Sequence, residues 1–274
     1  MAHGKAHTIS GFPDTGGNMA LKNKKSLGQN WLKDRDTLLA IGELASLGGT
    51  PLALEIGPGL GTLTSALFKF FDQVIAVEFD EELARKLPAS FPGKNLQVIH
   101  ANILDFDLGT LQGDYVAVGN IPYYITSPII MKLLTSEHKP ARIALMIQKE
   151  VAERIAAPVG DHTILSLAAQ SYAEVELGPV VKRELFTPPP KVDSQVIIMA
   201  PRANPLLTED ELAFAKQAFR NPRKKLTTTL PLATAKNRET VIEALGQIGA
   251  TTDARPQDLT HQQWHDLKII LAKA

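Results

Sequence analysis

The sequence predicts an α/β protein with a mostly parallel sheet and a small helical unit behind it. One ground is the stretch Leu52-Ala-Leu-Glu-Ile-Gly57-Pro-Gly59-Leu-Gly61-Thr-Leu-Thr64, which reads as buried strand, glycine-rich turn and helix start. Another is the alternation of short apolar runs with helical patterns up to about residue 148, as expected of parallel strands joined by crossover helices. The third is that Glu55, Glu78, Asn102 and Asn120 stand at the ends of four of these runs, where open α/β sheets collect ligands.

Before the glycine stretch, Asp34 or Asp36 can cap a helix running through about Leu47, with apolar residues at 38, 39, 41, 44, 45 and 47. Gly48, Gly49 and Pro51 end it. Beyond the loop, Leu60 to Phe71 reads as a helix and Val74 to Glu78 as a second strand. Asp80 then caps a helix over Glu81–Leu87. Leu96–Asn102, Tyr115–Asn120 and Arg142–Gln148 are the third, fourth and fifth strands, the last reached through a helix from about Pro128 to Thr135. Helices over Lys149–Ala157 and Thr163–Tyr172 precede strand-like Val175–Val181 and Ser194–Met199. Between those strands, Leu185 to Asp193 is a stiff polyproline-type loop. Pro201 to Pro205 marks a boundary. The remainder is helical: Glu209–Phe219, Lys224–Leu230 after a break at Asn221-Pro222, Arg238–Ile248 and Gln262–Ala272. These patterns divide the chain into a leader or tag over 1–20, an α/β unit over 21–202 and a helical unit over 203–274. Met19 is a candidate natural start.

Composition narrows the function classes. Of 274 residues, 44% are hydrophobic and 21% charged, ordinary values for a globular chain. Lys plus Arg number 29 and Asp plus Glu number 29, so any nucleic-acid site must be a local patch. With no cysteine, disulfides and thiolate metal sites are excluded. The seven histidines show no metal-ligand spacing, so no metal is expected. No run of about 18 apolar residues occurs, and the first twenty residues lack a signal-peptide core. A cytoplasmic location follows as the expectation.

The glycine spacing is GxGxG, whereas a dinucleotide pyrophosphate wants GxGxxG. Glu55 just before the turn suits a ligand that carries positive charge, such as the amino acid part of S-adenosylmethionine. Glu78, some twenty residues on, is where such sites hold ribose hydroxyls. A second constellation is Gly119-Asn-Ile-Pro-Tyr-Tyr124 at the end of the fourth strand. An adenine amino group is a poor nucleophile because its lone pair is delocalised into the ring. The Asn120 side-chain oxygen and the backbone carbonyl of Ile121 can accept its two hydrogens, favouring a pyramidal nitrogen that attacks a sulfonium methyl in line. Pro122 stiffens the turn, and Tyr123 offers a π-face for the base.

Five segments in order, Leu27-Gly-Gln-Asn-Trp-Leu32, Glu55-Ile-Gly-Pro-Gly-Leu-Gly61, Asn120-Ile-Pro-Tyr123, Gln148-Lys-Glu-Val151 and Phe186-Thr-Pro-Pro-Pro-Lys-Val-Asp-Ser194, resemble the ribosomal RNA adenine N6-dimethyltransferase family from about Lys24 onward. The resemblance implies a class I S-adenosylmethionine-dependent methyltransferase sheet (Rossmann-like), with S-adenosyl-L-methionine as methyl donor. By position it implies that Asn30 and Leu32 close over the cofactor, that Gly57, Gly59 and Gly61 line it with Glu55, and that Glu78 holds its ribose. Asn102 stands where the family has an aspartate for the cofactor's adenine amino group, and Trp31 where it has phenylalanine. Asn120, Ile121, Pro122 and Tyr123 would handle the target adenine, with Phe186 stacking on its other face.

Two branches of the family fit. KsgA-type enzymes modify two adjacent adenines in a hairpin loop near the 3′ end of 16S ribosomal RNA and take part in ribosome assembly; Erm-type enzymes modify one adenine of large-subunit RNA and confer macrolide resistance. Ile121 leans toward Erm, while the Phe186–Ser194 loop and Phe219-Arg-Asn-Pro-Arg-Lys-Lys-Leu226 lean more strongly toward KsgA. Further readings are a non-catalytic assembly or transcription factor and a DNA adenine methyltransferase, whose Asn-Pro-Pro-Tyr form Ile121 breaks. Lys24, Lys25, Arg220, Arg223, Lys224 and Lys225 are candidate phosphate contacts. The expected partner is small-subunit ribosomal RNA or the immature small subunit, bound by a monomer, with no membrane association.

Overall fold

The computed structural model describes residues 30–274, so Lys24, Lys25 and the expected leader lie outside the described residues. A two-residue strand, β1 (Trp31–Leu32), leads into α1 (Arg35–Ser46), which Asp34 caps by accepting from Thr37 N at 2.9 Å. Then follow β2 (Leu52–Ile56), α2 (Thr62–Leu67), β3 (Gln73–Glu78), α3 (Glu81–Lys86), β4 (Leu96–His100), β5 (Tyr115–Asn120), α4 (Thr126–Thr135), β6 (Arg142–Gln148), α5 (Lys149–Ile155), α6 (Ile164–Tyr172), β7 (Ala173–Val181), β8 (Phe186–Thr187) and β9 (Ser194–Pro201). The C-terminal helices are α7 (Glu209–Ala218), α8 (Leu226–Thr234), α9 (Arg238–Gln247) and α10 (His261–Lys273).

Seven strands form one sheet in the order β4-β3-β2-β5-β6-β9-β7. β2 to β6 pair in parallel, and β9 and β7 close the sheet antiparallel. The mostly parallel α/β sheet is thus as expected. β2 lies between β3 and β5, so the chain order reverses there, and such a reversal opens a crevice beyond the strand carboxyl ends. Side chains alternate through the sheet: Leu52, Leu54 and Ile56 join one buried cluster with α4 and α6, and Ala53 joins the other with α1 and α2. A third cluster gathers α7 to α10 around Trp264, with Leu167 of α6 reaching into it.

Element boundaries differ from the sequence pattern for local reasons. The expected helix 60–71 is cut to Thr62–Leu67, because tighter bonds (Lys69 N to Ala66 O, Phe70 N to Leu67 O) close its end. Its start is set by Gly61 at φ +81°; a Cβ there would meet Leu87 Cδ1 and Phe91 Cε2, both at 2.7 Å, so no side chain fits. α4 begins two residues before Pro128, which sits in the first turn where no donor is needed. α8 continues through Pro231 to Thr234. The proline-rich loop contains β8, whose Phe186 and Thr187 pair antiparallel with Leu32 and Trp31. That pairing ties residues 31–32 to the far end of the α/β unit.

Candidate active site

The crevice at the chain reversal is a cavity of about 310 Å³. It is lined by Gly57 to Gly59 of the loop after β2, by Glu78 from β3, by Asn102 after β4 and by Asn120 to Tyr124 at and after the end of β5; Gly61, expected in the lining, packs against Leu87 and Phe91 instead. Asn30, Trp31 and Leu32 cross it as a strap. Four separate polar strand ends thus converge on one space. Among the described residues no helix is long and apolar enough to cross a membrane, and no cluster of metal-ligating side chains occurs.

The β2 end has the geometry of a ligand cradle. Gly57 adopts φ +66°, and no atom lies within 4 Å of where its Cβ would project, so the loop backbone opens onto the cavity. Glu78 accepts from Gly59 N at 3.0 Å and from Asp80 N at 2.8 Å, which locks the loop to β3. Burial raises the Glu78 carboxyl above its usual range, and those backbone donors offset part of the shift.

Glu55 is only 1% exposed. Its Oε2 accepts from the Thr64 hydroxyl at 2.6 Å, while its Oε1 has no partner. A buried acceptor left open beside a ligand-sized cavity fits a bound donor or cation. Burial pushes this carboxyl up to about 8, outweighing the opposing Thr64 hydrogen bond. The folded chain therefore keeps a proton that the unfolded chain releases near its ordinary value of about 4.3. Stability in the absence of ligand falls as pH rises through the window from there to about 8. Thermal unfolding from pH 5 to 8.5 should show the melting temperature dropping for the native chain and a flatter profile for Glu55→Gln; parallel profiles would refute the assignment.

At the β5 end, Asn120 Nδ2 donates to the Asn30 carbonyl at 2.8 Å. Because that carbonyl can only accept, the bond fixes which end of the amide is Nδ2, and Asn120, which lines the cavity, keeps Oδ1 as an acceptor. Ile121 is buried and its N–H donates to the Met146 carbonyl at 3.3 Å, which holds the turn against β6. Tyr123 lines the cavity, and its hydroxyl hydrogen-bonds the Ser194 hydroxyl at 2.8 Å. Burial raises the phenol further from titration. Tyr123→Phe should keep methyl transfer within about tenfold because the π-face survives, yet lose about 1 kcal/mol of stability because buried Ser194 is left unpaired. Pairing it with Ser194→Ala should recover that stability in denaturant titrations; a purely additive double variant would contradict this.

The structure departs from expectation at Phe186 and adds hydrogen-bond partners at Asn102. Phe186 is 3% exposed, packs with Leu32, Leu38 and Val196, and does not line the cavity. Its place in the β1–β8 pair points the ring into the core, so in this conformation it is a structural aromatic and offers no face to a base. Asn102 does line the cavity, but its Oδ1 accepts from Leu104 N at 3.1 Å and its Nδ2 donates to Asp105 Oδ2 at 2.8 Å. One lone pair of that oxygen remains for a ligand. An aspartate here would set its second oxygen against the Asp105 carboxylate, which accounts for the amide.

Several residues in and just behind the cavity wall were not singled out from the sequence. Thr64 and Ser194 act as hydrogen-bond partners of Glu55 and Tyr123, and Phe79, Ile103, Leu104 and Tyr124 supply walls. Phe79 follows Glu78 directly and Ser194 ends the proline-rich segment, so proximity to a motif was the only available signal. The basic candidates Arg220, Arg223, Lys224 and Lys225 are exposed and lie outside this cavity, between α7 and α8; Lys225 pairs with Asp253 at 2.6 Å.

Comparison with known proteins places this geometry in context. The model of the family described as ribosomal RNA adenine dimethylase matches residues 20–273. The chain is 35% identical to ribosomal RNA small subunit methyltransferase A of Dehalococcoides mccartyi, over 91% of this chain and 89% of that protein. Among solved structures, the 23S rRNA methyltransferase ErmE superposes with a TM-score of 0.70 at 30% identity, covering 88% of this chain and 99% of that one. A dimethyladenosine transferase from Plasmodium falciparum superposes with a TM-score of 0.76 at 25% identity, covering 88% and 97%.

Proposed function

The chain belongs to the ribosomal RNA adenine dimethylase family, and from that membership and the cavity we propose that it dimethylates N6 of two adjacent adenines in a hairpin loop near the 3′ end of small-subunit (16S) ribosomal RNA. The observation that carries the reading is the meeting of the Asn120–Tyr123 turn and the glycine loop in one cavity. S-adenosyl-L-methionine supplies the electrophilic methyl group. The chain's own residues suit it: Glu55 offers an open buried acceptor, Gly57 an open backbone, Glu78 a carboxylate at the ribose position and Phe79 an apolar wall.

Asn120 Oδ1 and the Ile121 carbonyl accept the adenine N6 hydrogens, drawing the nitrogen lone pair out of conjugation and toward the methyl group. As the new N–C bond forms the methyl–sulfur bond breaks, leaving the neutral thioether S-adenosylhomocysteine, and the N6 proton passes to solvent when the methylated base leaves the cavity. Tyr123 holds the extruded base by its π-face. The strap of residues 30–32, tethered by Asn120 and by β8, keeps solvent from the reacting atoms. With these groups assembled, a purely non-catalytic assembly role is disfavoured.

The small-subunit target is favoured over the large-subunit one by the 35% identity over about nine-tenths of the small-subunit methyltransferase from Dehalococcoides mccartyi, against 30% for ErmE. We take residues 203–274 as a helical RNA-binding unit, with Arg220, Arg223 and Lys224 contacting phosphates, joined by Lys24 and Lys25. Lys225 contributes less charge because Asp253 neutralises it. The protein would act as a monomer in the cytoplasm, on an immature subunit that presents both phosphate tracks. Replacing Arg223 and Lys224 with alanine should weaken RNA binding and lower the salt slope by about 1 per lost contact, with cofactor affinity unchanged.

The test offers undermethylated small subunits and protein-free large-subunit RNA side by side with labelled cofactor. Label in adjacent adenines of the small-subunit RNA is the expected result. Label confined to large-subunit RNA would overturn the assignment in favour of the resistance-type enzyme.

A further inference from the structure

Two strongly exposed aromatic rings line the cavity, Phe79 at 59% and Tyr124 at 63%. Phe79 follows Glu78 at the end of β3, so it belongs to the cofactor end. Tyr124 follows Tyr123 beyond β5, at the end where the target base is held. We propose that Tyr124 is a stacking platform for the nucleotide adjoining the target adenine, an inference that rests on the methyl-transfer reading above.

The ring is mounted on a stiff support. Pro122 precedes it, Ile125 N donates to the Pro122 carbonyl at 3.3 Å, and the buried Thr126 hydroxyl donates to the Tyr123 carbonyl at 3.2 Å. Tyr123 itself is pinned through Ser194. Among the described residues, the Tyr124 hydroxyl has no hydrogen-bond partner, so no polar contact with them holds the side chain. A ring on so rigid a turn loses little freedom when it binds.

Flipping an adenine into the cavity strips its neighbour of a stacking partner. A solvent-facing aromatic at the lip replaces that lost surface, and it does so for any base because each has a π-face. With Phe186 buried, Tyr124 is the exposed ring at the base end of the cavity. The hydroxyl has no part in this, so the ring alone should matter.

The experiment uses small-subunit particles reconstituted with RNA in which an abasic nucleotide lies 5′ or 3′ of a single target adenine. The native chain should lose on the order of tenfold in kcat/KM on one of the two abasic RNAs, mainly through KM. Tyr124→Ala should lose a similar factor on intact RNA and nothing further on that abasic RNA, while Tyr124→Phe behaves as the native chain. Cofactor affinity, measured separately, should be equal in all three. Losses that multiply on both abasic RNAs, or native kinetics for Tyr124→Ala, would overturn the stacking role and leave the methyl-transfer reading intact. Failure of the native chain to methylate intact RNA would instead remove that reading, and this inference with it.

Discussion

Asn120→Ala should lower the rate constant of methyl transfer by on the order of a hundredfold or more, the loss associated with deleting one preorganised group that acts in the transition state. Two features of the structure sharpen that expectation. The amide oxygen is available only because Nδ2 is committed to the Asn30 carbonyl at 2.8 Å. Asn120→Asp, though nearly isosteric, loses that donor and sets a charge against the carbonyl, so it should be about as damaging as alanine. Cofactor affinity should fall only modestly in either variant, since β8 still holds the strap through Trp31 and Leu32. Single-turnover kinetics with saturating cofactor separate the two effects. A variant that retained the native single-turnover rate would place the rate-controlling acceptor elsewhere.

Glu78→Ala should weaken S-adenosylmethionine binding by roughly 10- to 150-fold, because a hydrogen bond to a charged group contributes about 1.5–3 kcal/mol. The residue acts twice. It lines the cavity at the end of β3, where we place the ribose, and its two oxygens hold Gly59 N and Asp80 N. Removing it therefore loosens the glycine loop as well as deleting a ligand. Glu78→Gln should be intermediate, since the amide turns a donor toward one of those two backbone N–H groups. Calorimetry reads the affinities directly, and unchanged binding in Glu78→Ala would refute the assignment.

Local chemistry determined much of this protein in advance. Glycine spacing, the caps at Asp34 and Asp80, and the polar residues ending four apolar runs depend on neighbours a few positions away, so the sheet and the glycine loop were legible from the chain alone. So was the placing of Glu55, Glu78 and Asn120 at strand ends that meet in one cavity, because a strand end fixes where its last side chain falls. What pairs across long separations was not legible. The strap of residues 30–32 against 186–187, the Asn120–Asn30 bond 90 residues apart and the Tyr123–Ser194 bond 71 apart arise only when the sheet closes. Burial was equally hidden. The motif around Phe186 suggested a base-stacking ring, yet strand pairing turns it into the core and leaves Tyr124, the second tyrosine of the turn, facing water at the cavity lip. A motif specifies which groups are near one another along the chain; which of them face the cavity depends on packing, since only the folded sheet decides which side chains water can still reach.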